Sequence, residues 1–155
     1  MYKPRLQRLE WVYADYPIFF LTMCTEGRRK ILANNNTHEA FIRSTKGAAA
    51  WHVLPGRYVI MPDHIHLFAA FGPDSISLSA WIKAMKSALS AEFRKSALLP
   101  PSWQKGLFDH LLRSAESYEQ KWEYVRDNPV RAGLVAKHVD WPYQGEIHPL
   151  ILGQL

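Results

Sequence analysis

The order of elements legible in this chain, β-α-β-β-α-β-α, predicts an α+β fold: a ferredoxin-like βαββαβ antiparallel sheet with one helix added at the C-terminal end. Three observations carry that prediction. Short apolar, β-prone runs at residues 18–23, 51–54 and 57–71 are separated by turn signals. Leu78, Trp81, Ile82, Met85, Leu89 and Phe93 recur at helical spacing. A second helical pattern, from Ser117 to Asn128, stops at Pro129. In this order the two internal helices cover one face of the sheet, and the other face is left for the C-terminal helix.

The opening residues 1–16 mix Arg5, Arg8, Trp11 and Tyr13 without a period and read as an arm, with Lys3, Arg5 and Arg8 placed to touch phosphate. Ile18-Phe19-Phe20-Leu21-Thr22-Met23 reads as a buried central strand, ended by Gly27 and followed by the basic Arg28-Arg29-Lys30. Asn34 to Thr37 supply N-cap candidates for a helix over His38–Ala50 with Phe41 and Ile42 inward. Trp51–Leu54 is a short strand, Pro55-Gly56 a turn, and Arg57–Phe71 its long antiparallel partner.

Gly72-Pro73-Asp74-Ser75 breaks that strand, Ser77 caps the next helix, and Leu99-Pro100-Pro101 stops it. Leu107–Arg113 is the fourth strand. Ser117 and Gln120 fit a capping box for the last long helix, whose packing stripe is Tyr118, Trp122 and Val125. Tyr124 falls off that stripe, grouped with Gln120, Lys121 and Asn128, so its hydroxyl faces a polar space. Arg131 to Gly133 add a helical turn and a stop, and residues 136–155 read as an irregular tail. The whole chain, 1–155, reads as one domain.

His64 and His66 stand two apart on the long strand, which puts both imidazoles on one face and Ile65 and Leu67 on the other. Imidazole is the commonest protein ligand for transition metals, and a pair leaves positions open for a third ligand and a substrate oxygen. The competing role is that of ordinary strand polars, but the surrounding apolar residues argue against a solvated face. A histidine-triad nucleotide site needs a third His at 68, and a metallo-lactamase-type run needs Asp and His at 68 and 69; Phe68 and Ala69 exclude both.

The 155 residues, 48% hydrophobic, suffice to bury a core without staples. Nineteen Lys and Arg against 14 Asp and Glu give a formal charge of +5, which suits a polyanionic partner such as nucleic acid. The single cysteine, Cys24, excludes a disulfide framework and a multi-thiolate zinc site and fits a reducing compartment. No apolar run reaches membrane-spanning length and no hydrophobic signal core opens the chain, so no membrane role and a cytoplasmic location are expected.

Met61-Pro62-Asp63-His64-Ile65-His66-Leu67, taken with Tyr124-Val125-Arg126-Asp127-Asn128-Pro129-Val130-Arg131-Ala132-Gly133-Leu134-Val135, resembles the single-tyrosine HUH transposases of small bacterial insertion sequences, and within them the REP-associated tyrosine transposases. The similarity spans roughly Pro17 to Tyr143 and includes the Arg28-Arg29 turn, Phe108-Asp109-His110 and Asp140-Trp141-Pro142. It implies that His64 and His66 ligate a divalent metal, Mg or Mn, and that Tyr124 is the nucleophile, forming a 5′-phosphotyrosine. It implies Asn128 as third ligand where the insertion-sequence enzymes commonly carry Gln; the alternative for Asn128 is to cap the helix before Pro129. The substrate implied is single-stranded DNA beside a hairpin, a REP-like palindrome, with Arg28, Arg29, Lys83, Lys86, Arg126 and Arg131 as candidates for backbone contacts. Related enzymes are dimers that exchange the tyrosine helix, while the short link before Ser117 equally allows a monomer with Tyr124 in cis.

Two other functions compete with a nicking and joining enzyme. A hairpin-binding module derived from such a transposase would grip DNA without cutting it, and would have no chemical need for His64, His66 and Tyr124 together. A phosphoesterase using water would make Tyr124 dispensable.

Overall fold

The computed structural model describes residues 16–95, 103–106, 108–112 and 114–150. The arm's Lys3, Arg5 and Arg8 and the stop at Leu99-Pro100-Pro101 lie outside the described residues. The elements are β1 (Ile18–Cys24), α1 (Asn35–Lys46), β2 (Val53–Ile60), β3 (His64–Phe71), α2 (Leu78–Lys95), β4 (Phe108–Leu112), α3 (Ala115–Arg126), α4 (Asn128–Arg131) and β5 (Gln144–Glu146). The sheet runs β4-β1-β3-β2-β5 with every pair antiparallel. Its first four strands have the ferredoxin-like order, and β5 extends the β2 edge. The tail read as irregular therefore contains a strand, which is three residues long and too short to show a period.

Alternation along β1 and β3 sorts two cores. Leu21, Met23, Ile65, Leu67 and Ala69 face α1 and α2, joined by Phe41, Trp81, Ile82, Met85 and Leu89. Ile18, Phe20, Phe68 and Ala70 face the opposite way, covered by Tyr118 and Val125 of α3 and by Trp141. Trp141 is fixed there because its indole N–H donates to the Ile60 carbonyl at 3.0 Å. Phe68 has no exposed surface and lies within 4.9 to 6.2 Å, centroid to centroid, of the rings of Phe20, Tyr118 and Trp122. Phe68→Ala is expected to cost about 3–5 kcal/mol in denaturant unfolding, since α3 and the sheet cannot close on the space left. A loss under about 1 kcal/mol would mean that α3 is not seated there.

Several boundaries differ from the sequence expectations. The hairpin turns at Met61-Pro62-Asp63, with Met61 N–H donating to the His64 carbonyl at 2.8 Å, and not at Pro55-Gly56. Pro62 has no N–H to place in a ladder, and the carbonyls of Pro62 and Asp63 accept from Leu32 and Thr25. Pro55-Gly56 instead forms an irregularity within β2, where the register shifts between Pro55 and Tyr58. His64 thus opens β3 at the turn. The helix expected over His38–Ala50 begins earlier, capped by the Asn34 side chain, and ends at Lys46, followed by a 3₁₀ segment Gly47–Trp51 and a left-handed His52. That leaves Trp51 57% exposed and out of any strand. Ser77 caps α2 as expected, accepting from Ala80 N–H at 3.1 Å.

Ser114, not Ser117, caps α3: its hydroxyl accepts from the Ser117 N–H at 3.0 Å, one turn before the expected start. At the other end α3 stops at Arg126 with Asp127 as C-cap, and Pro129 sits in the first turn of α4, where a missing N–H costs nothing. Gly133, at φ +74°, closes α4 as anticipated. No helix among the described residues is long and apolar enough to cross a membrane.

Candidate active site on the histidine face

β3 brings His64 and His66 to the face covered by α3, with ring centroids 4.6 Å apart and nearly perpendicular. Each ring is held through Nδ1. His64 Nδ1–H donates to Asp63 Oδ1 at 2.7 Å, and His66 Nδ1 bonds Thr22 Oγ1, across the β1–β3 pair, at 2.9 Å. The His66 ring also stacks on Phe20 at 5.0 Å. Arg28 approaches His64 Nδ1 at 3.3 Å, but a guanidinium can only donate, so the shorter carboxylate contact sets the tautomer. Arg28 itself is bound to Asp63 Oδ2 at 2.8 Å.

The carboxylate contact leaves Nε2 of His64 as the free lone pair, and Nε2 of His66 is the free lone pair in the tautomer whose Nδ1–H donates to the Thr22 hydroxyl. Burial lowers the His64 pKa despite the opposing Asp63 carboxylate. Burial, then the charges of His64, Lys121, Arg131 and Arg28, pushes His66 down to about 3. Burial alone would raise Asp63, but hydrogen bonds from Arg28 and His64 outweigh it and hold the carboxyl below its ordinary value. Two neutral imidazoles, one oriented by a carboxylate and one by a hydroxyl, form a donor set that fits a divalent cation. Among the described residues no group of three or more His, Cys, Asp and Glu could hold a metal. A cation held by these two imidazoles would keep coordination positions open, as in a catalytic and not a closed structural site.

Asn128 opens α4, and its side-chain Oδ1 accepts from Arg131. It caps neither helix, since Asp127 holds the cap position of both. With one lone pair taken by a cation, Asn128 would reach a metal through the second lone pair or after release from Arg131.

Tyr124 is 62% exposed on α3, as its place off the packing stripe implied. The Arg131 guanidinium lies 3.9 Å over its ring. It lines a cleft of about 510 Å³ with His110, Leu112, Ser117, Gln120 and Lys121. Arg131 and Lys121 both act on His66 electrostatically, so the tyrosine and the histidine pair share one cationic neighbourhood. α3 packs on the sheet of its own chain.

The expected DNA contacts divide. Arg28 stands beside His64 and Asp63, and Arg131 lies over Tyr124. Arg126, at the end of α3, has a buried Nε without a hydrogen-bond partner among the described residues. Arg29 is exposed beside the β1 turn. Lys83 and Lys86 lie on α2, in the opposite layer, lining a cleft of about 800 Å³ with Arg94, Trp103 and Asp109. Lys86 donates to the carbonyls of Gln104 and Gly106, so it also holds the chain before β4. Sequence reasoning missed Thr22, Asp63 and Lys121. Thr22, a lone polar residue in an apolar strand run, was a signal for the first.

The IS200-like transposase family model matches residues 18–128. An Escherichia coli (strain K12) REP-associated tyrosine transposase is 30% identical over 88 residues, 56% of this chain and 50% of its own length. A Haemophilus influenzae protein provisionally given the same name is 26% identical over 111 residues, 58% of this chain and 61% of its own length. The chain thus spans about half to three fifths of these relatives. A solved structure of a REP-associated tyrosine transposase bound to a REP hairpin superposes with a TM-score of 0.68 at 21% identity, over 85% of this chain and 78% of that one, which shows the shared fold. With the family model covering both histidines, Tyr124 and every element from β1 through α3, the chain belongs to the IS200-like transposase family.

Proposed function

We propose that this protein is a metal-dependent endonuclease and strand transferase that cuts and rejoins single-stranded DNA beside a hairpin, through a 5′-phosphotyrosine on Tyr124. What supports the proposal is two Nδ1-anchored imidazoles on the sheet face that α3 covers, and an exposed tyrosine on α3 under Arg131, whose charge also acts on His66. His64 and His66, with Asn128 as a further ligand, would hold a divalent cation, and the chemistry it would supply is Lewis-acid polarisation of a phosphate oxygen. The Tyr124 oxygen attacks phosphorus, loses its proton to solvent or a nearby base, and forms a new O–P bond. The P–O3′ bond breaks and the leaving 3′ oxygen takes up a proton. Because the phosphotyrosine keeps the ester bond energy, a 3′-hydroxyl can reverse the step and reseal a strand.

Arg131, over the Tyr124 ring, and Lys121, in the same cleft, flank the tyrosine as counter-charges for the phosphate. Lys83 and Lys86, one layer away, would meet DNA distant from the scissile bond. The relative bound to a REP hairpin and the REP-associated names of the curated relatives favour a REP-like palindrome as the substrate.

The test is incubation with Mn²⁺ or Mg²⁺ and labelled hairpin oligonucleotides carrying single-stranded flanks. A protein–DNA adduct surviving denaturation is the expected result. Tight hairpin binding with no adduct would replace the enzyme by the binding module.

A further inference from the structure

Arg57, on β2, reaches three separate pieces of the fold. Its Nη1 pairs with Glu119 Oε1 of α3 at 2.9 Å and its Nε with Glu146 Oε2 of β5 at 3.3 Å. The same guanidinium carbon lies 5.1 Å from the ring centroid of Tyr118 and 5.6 Å from that of Trp122. The neighbouring backbone closes the arrangement: Arg57 N–H approaches the Tyr118 hydroxyl at 3.5 Å. A Cβ at Gly56 would stand 2.9 Å from that hydroxyl and 2.6 Å from Leu150.

Apolar rings alone would let α3 slide or roll on the sheet, because burial is not directional. A roll of ~20° at a radius of ~6 Å displaces a side chain by ~2 Å, whereas a misplacement of ~1 Å can cost a reaction ~10²-fold. Charge pairs to α3 and β5, combined with stacking on two rings of α3, remove that freedom. Arg57 is 23% exposed while Glu119 and Glu146 are 56% and 42% exposed, so the ion pairs lie at the rim and the contact with the buried Tyr118 ring is the shielded part of the arrangement.

We propose that Arg57 is the positioning residue that locks the tyrosine helix onto its own sheet, so that Tyr124 serves the histidine pair of the same chain. The inference rests on the nucleophile reading above. Arg57 acts through α3 and touches no reacting atom.

The experiment compares the full chain with Arg57→Met, which keeps much of the aliphatic stem, and with Arg57→Lys. At saturating hairpin DNA, Arg57→Met is expected to slow adduct formation ~30–100-fold, with Arg57→Lys between it and the parent because lysine holds a single point contact. Mn²⁺ affinity of the histidine pair stays the same. A second readout is one that simple destabilisation would not give. Tyr124→Phe mixed with His64→Ala should yield no adduct while Arg57 is present. The same mixture built on Arg57→Met should gain adducts at high concentration, as the released α3 docks on a second chain.

Amide exchange of α3, measured without DNA, should speed up in Arg57→Met. An unchanged adduct rate, unchanged α3 exchange, or an active mixture with Arg57 intact would overturn the proposal. If the parent chain forms no adduct, the nuclease reading fails and α3 exchange alone decides whether Arg57 is the lock.

Discussion

Tyr124→Phe is expected to lower covalent adduct formation by at least ~10³-fold, because the substitution deletes the atom proposed to attack phosphorus and alters little else. Tyr124 is 62% exposed, and the ring on which Arg131 lies is retained in Phe, so neither the packing of α3 nor the cation–π contact is removed. Hairpin affinity should stay within ~3-fold, since backbone contacts elsewhere carry the binding. A gel of denatured product against time, beside a binding titration, checks both parts. Persistent phosphodiester cleavage in Tyr124→Phe would assign the attack to water and make the protein a phosphoesterase. Loss of binding together with cleavage would show that the ring, not its hydroxyl, was needed.

The faces of the site were legible because they follow from periods. A strand repeats every two residues, which placed His64 and His66 together and sent Ile65 and Leu67 to the opposite core. A helix repeats every 3.6, which set Tyr124 apart from Tyr118, Trp122 and Val125. Element order then gave the sheet, because a βαββαβ chain with right-handed crossovers has few ways to close. Boundaries were less legible, since several residues can make the same local bond. Ser114 and Ser117 are both competent caps, and the helix starts from the first, whose hydroxyl accepts from the Ser117 N–H. Pro55-Gly56 and Met61-Pro62-Asp63 are both turn-like, and the choice falls to the partners of the Pro62 and Asp63 carbonyls, which lie thirty or more residues away.

The same distance in sequence hides the supports of the site. Thr22 meets His66 across 44 residues and Arg57 meets Glu119 across 62. No local pattern encodes either pair. The division of the basic residues follows from the element order itself: α2 covers the face opposite the tyrosine helix, which carries Lys83 and Lys86 away from Tyr124. Charge counts alone predicted a polyanionic partner without saying which lysines stand near the scissile bond.

His66→Ala should abolish Mn²⁺ binding within the accessible range, a fall of at least ~100-fold, read by titration with electron paramagnetic resonance in the absence of DNA. Removal of a ligand should exceed the ~10–100-fold usual for removal of a group that orients one. Thr22→Val supplies that comparison: it keeps the β-branched shape in β1 and deletes the hydroxyl that bonds His66 Nδ1 at 2.9 Å. The imidazole is then free to turn about its stacking contact with Phe20, and affinity should fall by ~10-fold while the fold persists. Tyr124→Phe should bind Mn²⁺ like the parent, because its hydroxyl is assigned to phosphorus and not to the cation. The ranking His66→Ala, then Thr22→Val, then Tyr124→Phe separates ligand, orienting partner and nucleophile without any measurement of turnover. If His66→Ala retained full Mn²⁺ affinity, the two histidines would be buried strand residues satisfied by Thr22 and Asp63, and adduct formation would have to draw its counter-charge from Arg131 and Lys121.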